Sequence, residues 1–216
     1  MNTKDKQLMP KIEWKHLIWA LIVIVLVFCT IYFSFQYLLS KNYITGPSMQ
    51  PNFKSGNHVI AIRNAPINRG DVIILKAPDE KNELYIKRVI GLPGDKLTSK
   101  NNKIYINGKL YKEDFLQAGS KLKEPKNSVY GNLPYSYTYA FTINSLAQSP
   151  DWQKVYSKPY LLKIQKLNRV PNNDYFVMGD HRTVSKDSRL IGFIKQKAVV
   201  GKVALRYWPL SDFTVY

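Results

Sequence analysis

Residues 17–40 read LIWALIVIVLVFCTIYFSFQYLLS, which is 24 consecutive positions without a charged side chain. A helix of about 20 apolar residues crosses the hydrocarbon core of a bilayer, so this stretch is long enough to span a membrane. Trp14 and Trp19 at one end, and Tyr37 and Tyr43 at the other, suit the two lipid–water interfaces. The run is longer than the apolar part of a cleaved secretory signal, and no small-x-small site follows it. We therefore predict a retained transmembrane helix over residues 17–40.

The charges that flank this stretch predict its orientation. Residues 1–16 contain four lysines, whereas the first ten residues after the stretch carry only Lys41. Lysines close to a membrane span favour the cytoplasmic side. We therefore expect a single-pass protein of the cell membrane, with residues 1–16 in the cytoplasm and residues 41–216 on the extracellular face.

Composition narrows the possible classes of protein. Of the 216 residues, 45% are hydrophobic and 13% aromatic, which excludes a wholly disordered chain. The net charge of +17 is compatible with nucleic acid, anionic lipid or an acidic polymer as a partner, and charge alone does not choose among them. The single cysteine, Cys29, excludes an intramolecular disulfide. Because His16, His58 and His181 are far apart in sequence, we expect no metal site and no cofactor.

Beyond the apolar stretch, short alternating runs are typical of β-strands. Residues 103–111 read KIYINGKLY and predict a hairpin, because Asn107-Gly108 supplies the positive φ angles of a two-residue turn. We predict a mainly β fold, in which an inserted β-rich or loop subdomain at 97–170 interrupts a β domain. The β domain comprises residues 41–96 and 171–216, and the other predicted strands are 58–63, 71–76, 83–90, 175–178 and 198–208.

Residues 45–51 read TGPSMQP and place a serine on a short turn between two prolines. Each proline is expected to restrict the residue before it to extended backbone, Gly46 in one case and Gln50 in the other. Such a turn can present the Ser48 hydroxyl at a fixed angle and direct backbone N–H groups at a developing oxyanion. By itself, a serine between prolines is more often an ordinary turn residue.

The strand predicted at 83–90 carries two adjacent basic side chains, Lys87 on one face and Arg88 on the other. Whichever face is buried, a charged group lies among apolar neighbours. Burial lowers the pKa of a lysine amine, whereas an arginine essentially always keeps its proton. A neutral Lys87 near a hydroxyl would be a general base; the alternative is an edge strand with both charges solvated.

Residues 178–189 read MGDHRTVSKDSR and follow the predicted strand at 175–178. Their dense alternation of hydroxyl, carboxylate and guanidinium groups suits a hydrogen-bonded loop. Asp187 and Arg189 can form an ion pair that holds such a loop rigid. Taken alone, the segment is also compatible with an ordinary polar surface loop.

Together these segments resemble the type I signal peptidases. The resemblance covers residues 17–208, with 97–170 aligned only by position, and the apolar stretch lies just upstream of the first match. Four matches in this order are specific, whereas any one of them is not. The matching segments are GPSMQP at 46–51, RGDV at 69–72, YIKRVIGLPGD at 85–95 and GDHRTVSKDSR at 179–189.

The resemblance implies a membrane-anchored serine endopeptidase that removes signal peptides from exported preproteins. The resemblance further implies that the protein acts at the lipid bilayer, near the export machinery, and has no nucleic-acid partner. By resemblance, Ser48 is the nucleophile and Lys87 the general base of a catalytic β domain. Ser185 has the position of a serine that orients the lysine, and Asp187 and Arg189 have positions that support the site.

Two positions depart from the family pattern. Gly46 stands where some members carry a serine whose hydroxyl supplements the oxyanion hole, so a second oxyanion donor is in question here. His181 stands where the family usually has asparagine, which raises the question of a different base.

Three alternatives use the same residues differently. Ser48 and His181 can form a triad with Asp180 or Asp187, which would leave Lys87 idle. A non-catalytic basic ectodomain that binds anionic lipid or wall polymer would account for the net charge. A self-cleaving repressor-type protease shares the Ser/Lys chemistry, but those proteins are soluble and carry a DNA-binding domain where this chain has an apolar stretch.

Chain length links the predicted site to the membrane. Ser48 follows the end of the predicted span by eight residues, at most about 28 Å of extended chain. A signal peptide emerges at this membrane face, with its apolar segment still in the bilayer. We expect the substrate to add as an extended strand, with small side chains at two alternating positions. The resemblance implies a preference for Ala-x-Ala.

Overall fold

The computed structural model describes residues 14–216. Helix α1 (Trp14–Leu38) is long and apolar enough to cross a membrane, and all of its residues are exposed. Its 25 residues rise about 37 Å. The helix ends before the predicted boundary, because Leu39 and Ser40 begin the first strand. Most of the segment predicted to be cytoplasmic, 1–16, lies outside the described residues.

Strands dominate residues 39–216, which form one unit by their contacts, and the predicted mainly β fold is confirmed. The strands are β1 (Leu39–Tyr43), β2 (His58–Ile62), β3 (Val72–Lys76), β4 (Leu84–Gly91), β5 (Leu97–Lys100), β6 (Lys103–Ile106), β7 (Lys109–Leu110), β8 (Phe141–Thr142), β9 (Asp174–Met178), β10 (Ile194–Lys195), β11 (Val199–Trp208) and β12 (Thr214–Val215). The helices are α2 (Gln117–Lys121), α3 (Ile143–Leu146), α4 (Pro150–Val155), α5 (Lys158–Leu167) and α6 (Ser188–Ile191).

The larger sheet has the strand order β1-β2-β11-β3-β4-β9-β10, with β12 added beside β11. Its neighbouring strands are antiparallel. Strand β4 lies inside this sheet, where Lys87 pairs with Ile73 of β3 and Arg88 pairs with Met178 of β9. The predicted basic pair is therefore part of a central strand and not of an exposed edge.

Alternation along β3 divides the core of the larger sheet into two clusters. Val72 and Ile74 join a cluster that includes Met49 and Phe53, whereas Ile73 and Leu75 belong to the other cluster. Burying one such side chain contributes roughly 1.5–3 kcal/mol. The turn that carries Ser48 is therefore anchored to the sheet through Met49 and Phe53.

A smaller sheet, with the strand order β7-β6-β5-β8, is built from residues 97–110 and 141–142 of the predicted insert. Its hairpin turn has φ angles of 51° at Asn107 and 82° at Gly108, as the sequence predicts. This sheet shares a core with the larger one, since Leu97 and Trp152 of the insert belong to the same cluster as Phe176 of β9.

Residues 112–170, where the sequence predicts strands or loops, contain the helices α2–α5. Pro150 and Pro159, which resemble loop signals in the sequence, stand in the first turns of α4 and α5, where proline is well tolerated. Ser149 caps α4 by accepting the N–H of Trp152. These helices are at most ten residues long, so their periodicity is too brief to be distinguished from that of a loop.

Candidate active site

Ser48 lies on a turn between β1 and β2 and is half-buried. The N–H of Gln50 donates to the Pro47 carbonyl at 2.9 Å and closes the turn. The side chains of Met49 and Phe53, on either side of the second half of the turn, are buried in the core. These two anchors and the closing hydrogen bond hold the Ser48 hydroxyl in a defined place.

Gly46 does not have the extended backbone that the sequence predicts. Its φ is +80°, in the left-handed region that favours glycine. The restriction before a proline arises partly from the Cβ of the preceding residue, and glycine lacks this atom. A left-handed residue at 46 therefore directs the chain into the turn, and a side chain at this position would be strained.

Strand β4 brings Lys87 to this turn. Its Nζ lies 2.9 Å from Ser48 Oγ, and only 4% of the residue is exposed. Burial lowers the pKa of Lys87 to about 8, although the charges of Asp187 and Asp180 act in the opposite direction. Within residues 14–216, no carboxylate forms an ion pair with this amine. A usable fraction of Lys87 is therefore neutral near pH 8 and can accept a proton from Ser48.

Arg88 is the next residue on β4 and is also buried, but it has a partner. Its Nε and Nη2 donate to the two Asp180 carboxylate oxygens at 2.8 and 2.6 Å. Its Nη1 donates to the Gly70 carbonyl at 2.8 Å, and the guanidinium lies 4.1 Å from the centre of the Phe115 ring. The two faces of β4 are thus both buried, one with an arginine that is paired with Asp180 and one with a lysine that pairs with no carboxylate in residues 14–216.

The segment after β9 contains the predicted pair of Asp187 and Arg189. Arg189 Nε and Nη2 donate to the two Asp187 oxygens at 2.9 and 2.8 Å, and the Gly179 N–H donates to Asp187 Oδ2 at 2.9 Å. Burial acts to raise the pKa of the Asp187 carboxyl, but the charge and hydrogen bonds of Arg189 outweigh burial and hold the pKa below its usual value. Arg189 also donates to the Arg182 carbonyl at 2.7 Å, so the pair joins both ends of segment 179–189.

Gly179 is the point at which this segment meets the serine turn. A Cβ at this position would lie 2.2 Å from Ser185 Oγ and 2.3 Å from the Ser48 carbonyl oxygen, closer than real side chains approach. The contact therefore requires glycine. Ser185 is buried; its Oγ lies close enough to Asp187 to help lower the pKa of that carboxyl, but it has no partner at good hydrogen-bond geometry among the residues that the structure describes. Its role in orienting Lys87 stays a prediction.

His181 lies beside the serine turn but does not contact the Ser48 hydroxyl. Its Nε2 is 2.6 Å from Glu124 Oε1, and its Nδ1 is 3.3 Å from the Pro47 carbonyl oxygen. Neither Asp180 nor Asp187, the two aspartates of the triad alternative, contacts the ring. Each is paired with an arginine instead. The basic group next to the Ser48 hydroxyl is therefore Lys87, with the imidazole engaged elsewhere.

A cleft of about 560 Å³ opens in front of Ser48 and Lys87. One wall is β1, whose second edge pairs with no strand in the described part of the chain. The other wall is the first half of β4, where β3 pairs on one side and β9 begins to pair only at Arg88. Unpaired strand edges on two walls of a cleft are suited to an extended peptide, because its backbone can complete both ladders.

The sequence profile described as "Signal peptidase, peptidase S26" matches residues 14–208. The chain belongs to this family. The resemblance that the four segments predict is thereby confirmed.

Relatives of this signal peptidase match it over most of its length. Signal peptidase IB of Staphylococcus aureus is 34% identical over 203 residues, which cover 92% of this chain and 93% of that protein. Signal peptidase I of Bacillus caldolyticus is 36% identical over 182 residues, covering 82% of this chain and 84% of that protein. A crystal structure of a signal peptidase I from Enterococcus faecalis V583 covers 64% of this chain and 97% of that chain, with 33% identity and a TM-score of 0.48.

Membership of the signal peptidase family establishes the class of activity. The protein is a hydrolase, a serine protease that removes signal peptides, and its substrates are preproteins that carry them. The apolar helix Trp14–Leu38 fits a membrane-anchored signal peptidase.

Two residues around the serine turn of this signal peptidase were not predicted: Gly179, which lies against the turn, and Glu124, which reaches it through His181. Glu124 comes from the lysine-rich insert and reaches His181 across 57 positions, so local sequence carries no signal for the contact. Gly179 does carry a signal, because it directly follows a buried strand and precedes Asp180, but its close approach to Ser48 depends on the tertiary fold.

Proposed function

We propose that Ser48 and Lys87 form the catalytic dyad of this signal peptidase. The observation that supports the proposal is the 2.9 Å separation of Lys87 Nζ and Ser48 Oγ, with the amine buried and unpaired by any carboxylate in residues 14–216. A protonated lysine cannot accept the serine proton. Because burial lowers the Lys87 pKa to about 8, the neutral base is available close to physiological pH.

Catalysis proceeds through an acyl-enzyme. Neutral Lys87 takes the proton of Ser48 as the hydroxyl oxygen attacks the scissile carbonyl, which forms a tetrahedral oxyanion. The peptide C–N bond then breaks, and the Lys87 ammonium gives its proton to the departing amine of the mature protein. Neutral Lys87 next accepts a proton from water as the water attacks the ester, and Ser48 regains its proton as the signal peptide leaves.

The backbone N–H of Ser48 is the proposed oxyanion donor. It donates to no acceptor among the described residues, so it is available to a developing negative charge. Gly46 has no hydroxyl to add a second donor, and its proposed part is to shape the turn through its left-handed backbone. Stabilisation of the oxyanion in this chain therefore depends more heavily on main-chain groups than in members with a serine at this position.

Ser185, Asp187 and Arg189 are proposed to support the dyad without reacting. The Asp187–Arg189 pair holds segment 179–189, whose Gly179 touches the Ser48 carbonyl. The Ser185 hydroxyl is buried at the same contact. The proposed part of the Ser185 hydroxyl is the orienting hydrogen bond to Lys87 that the resemblance implies.

We propose that the substrate is an extended chain in the cleft between β1 and β4, with small side chains alternating toward the protein. The lysines before the apolar helix support an N-terminus in the cytoplasm and a catalytic domain, 41–96 with 171–216, on the extracellular face. This orientation would place residues 41–216 on the side of the membrane to which preproteins are exported.

The test is cleavage of a purified preprotein in detergent or lipid, with the cut mapped by mass spectrometry. The wild-type protein is expected to cut after the signal peptide, whereas Ser48→Ala and Lys87→Ala lose the activity. His181→Ala is expected to keep measurable activity, because the dyad uses Lys87 as its base. The rate of wild type is expected to rise with pH around pH 8 as Lys87 loses its proton. A flat profile from about pH 6 to 9 with chemistry limiting would contradict the proposed base.

A further inference from the structure

His181 and Glu124 form a buried contact that the proposed dyad does not use. Only 3% of His181 and 7% of Glu124 are exposed, and the atoms in contact, Nε2 and Oε1, lie 2.6 Å apart. The hydroxyl of Thr183 donates to the same glutamate oxygen at 2.5 Å. The ring of Tyr135 stacks on the imidazole with 3.6 Å between ring centres. The imidazole is therefore held both at its edge and on its face.

His181 in turn contacts the serine turn at two points. Its backbone N–H donates to the Ser48 carbonyl at 3.1 Å. Its ring Nδ1 faces the Pro47 carbonyl oxygen at 3.3 Å, on the same carbonyl that accepts the N–H of Gln50. Because Glu124 sets the rotation of the ring through Nε2, it also determines where Nδ1 meets the turn.

Glu124 belongs to a loop of the insert that is itself well ordered by hydrogen bonds. Its N–H donates to the Leu133 carbonyl at 2.9 Å, and the N–H of Tyr135 donates to the Leu122 carbonyl at 3.0 Å. The Tyr135 carbonyl accepts the N–H of Arg182 at 2.7 Å. The loop is thus attached to segment 179–189 by main chain and side chain together.

We propose that Glu124 and His181 are positioning residues for the dyad. Glu124 fixes the imidazole, whose ring lies against the Pro47 carbonyl, and the His181 backbone N–H holds the Ser48 carbonyl; together these contacts set the angle at which the Ser48 hydroxyl meets Lys87. The inference rests on the proposed Ser48/Lys87 mechanism. A displacement of about 1 Å at a reacting atom is enough to lower a rate about 100-fold, so contacts to the Pro47 and Ser48 carbonyls, on either side of the Ser48 side chain, affect the rate if they move the hydroxyl. The insert thereby contributes to the catalytic geometry through Glu124.

The test compares kcat and KM for preprotein cleavage by Glu124→Ala, His181→Ala and the double variant. Each single variant is expected to lower kcat about tenfold and to leave KM within about twofold, because the serine moves while the cleft is kept. The double variant is expected to be no slower than the slower single variant, since the two residues act as one unit. Glu124→Gln is expected to recover most of the rate, because its amide oxygen still accepts the Nε2 hydrogen.

Glu113→Ala is the matched control. The Glu113 side chain is 9% exposed, comes from the same insert and pairs with Arg182, the residue next to His181, but does not contact the serine turn. It is expected to lower the free energy of unfolding while kcat stays within about twofold of wild type. Unfolding measurements on all variants separate loss of fold from loss of rate.

Three results would overturn the inference while the proposed function stands: an unchanged kcat in Glu124→Ala, an equal fall of kcat in Glu113→Ala, or single effects that multiply in the double variant. Absence of cleavage by wild type, or full activity of Lys87→Ala, would instead overturn the proposed dyad and this inference with it.

Discussion

Lys87 and Arg88 are adjacent on β4 and both are buried, yet the surroundings of Arg88 stabilise a positive charge and those of Lys87 destabilise it. Arg88 is held by the carboxylate of Asp180, and a second buried arginine, Arg189, is held by Asp187. Lys87 faces the Ser48 hydroxyl and forms no ion pair with a carboxylate in residues 14–216. Each of the two arginines has a carboxylate partner, and these pairs stabilise the surroundings of the site. Around Lys87, by contrast, burial makes a positive charge unfavourable.

The difference follows from the chemistry of the two side chains. A guanidinium keeps its proton even when buried, so its burial requires a counter-charge. An amine can lose its proton, so burial without a partner converts it into a base. The same strand therefore provides stability on one face and reactivity on the other.

Lys87→Met is the change with the largest expected effect. It is expected to lower the cleavage rate about 1,000-fold, because the proposed general base is removed. At pH 7 the same variant is expected to raise the free energy of unfolding, by up to about 3 kcal/mol, since a buried charge is replaced by an apolar chain of similar length. Denaturant unfolding beside a cleavage assay checks both. A variant that is both inactive and less stable would show that Lys87 has a structural role resembling that of the arginines.

Asp187→Asn tests how much the buried Asp187–Arg189 pair stabilises the fold. It leaves Arg189 buried without a carboxylate, so the free energy of unfolding is expected to fall by about 3–5 kcal/mol. Urea unfolding of the full chain in detergent measures the loss. A fall in the free energy of unfolding of less than about 1 kcal/mol would mean that this pair contributes little to holding segment 179–189 in place.

The pH dependence of stability further distinguishes the surroundings of Lys87 from those of the paired arginines. The folded pKa of Lys87 is lowered from 10.5 to about 8, so the unfolded chain binds the extra proton between these values. Folding is therefore penalised below pH 8, and the penalty of about 3 kcal/mol is relieved as pH rises toward 10.5. The stability advantage of Lys87→Met over wild type is expected to shrink across this window, as unfolding at pH 7, 8, 9 and 10 would reveal. A constant difference would contradict the lowered pKa.

Lys186→Ala is the smallest expected change. Lys186 pairs with Asp79, and with Glu80 at 3.2 Å, but about half of its side chain is exposed. Solvent screens such pairs, so the free energy of unfolding is expected to change by less than about 1 kcal/mol. The change is expected to diminish further in high salt. A larger loss, insensitive to salt, would place Lys186 among the buried scaffold contacts.

Much of the fold was predictable because its signals are local. An uncharged run longer than a bilayer is thick predicts a membrane helix, and Asn107-Gly108 between two alternating runs predicts a hairpin that the structure contains. Helices α2–α5 were not predicted, since each is short and its caps resemble loop residues. Their stability comes from contacts such as that of Trp152 with Phe193, which lie far apart in sequence.

For the site, residue types and their spacing indicate which side chains are capable of the chemistry: a serine on a stiff turn, a lysine in an apolar strand, and an Asp–Arg pair two positions apart. That Lys87, and not His181, lies next to the Ser48 hydroxyl, and that Glu124 reaches the imidazole, depends on how the chain folds. The physical reason is that a side chain's chemical type is local, whereas its burial and its partners depend on contacts between distant segments. The pKa of Lys87 is lowered by such burial, so the property that the proposed base requires comes from the fold.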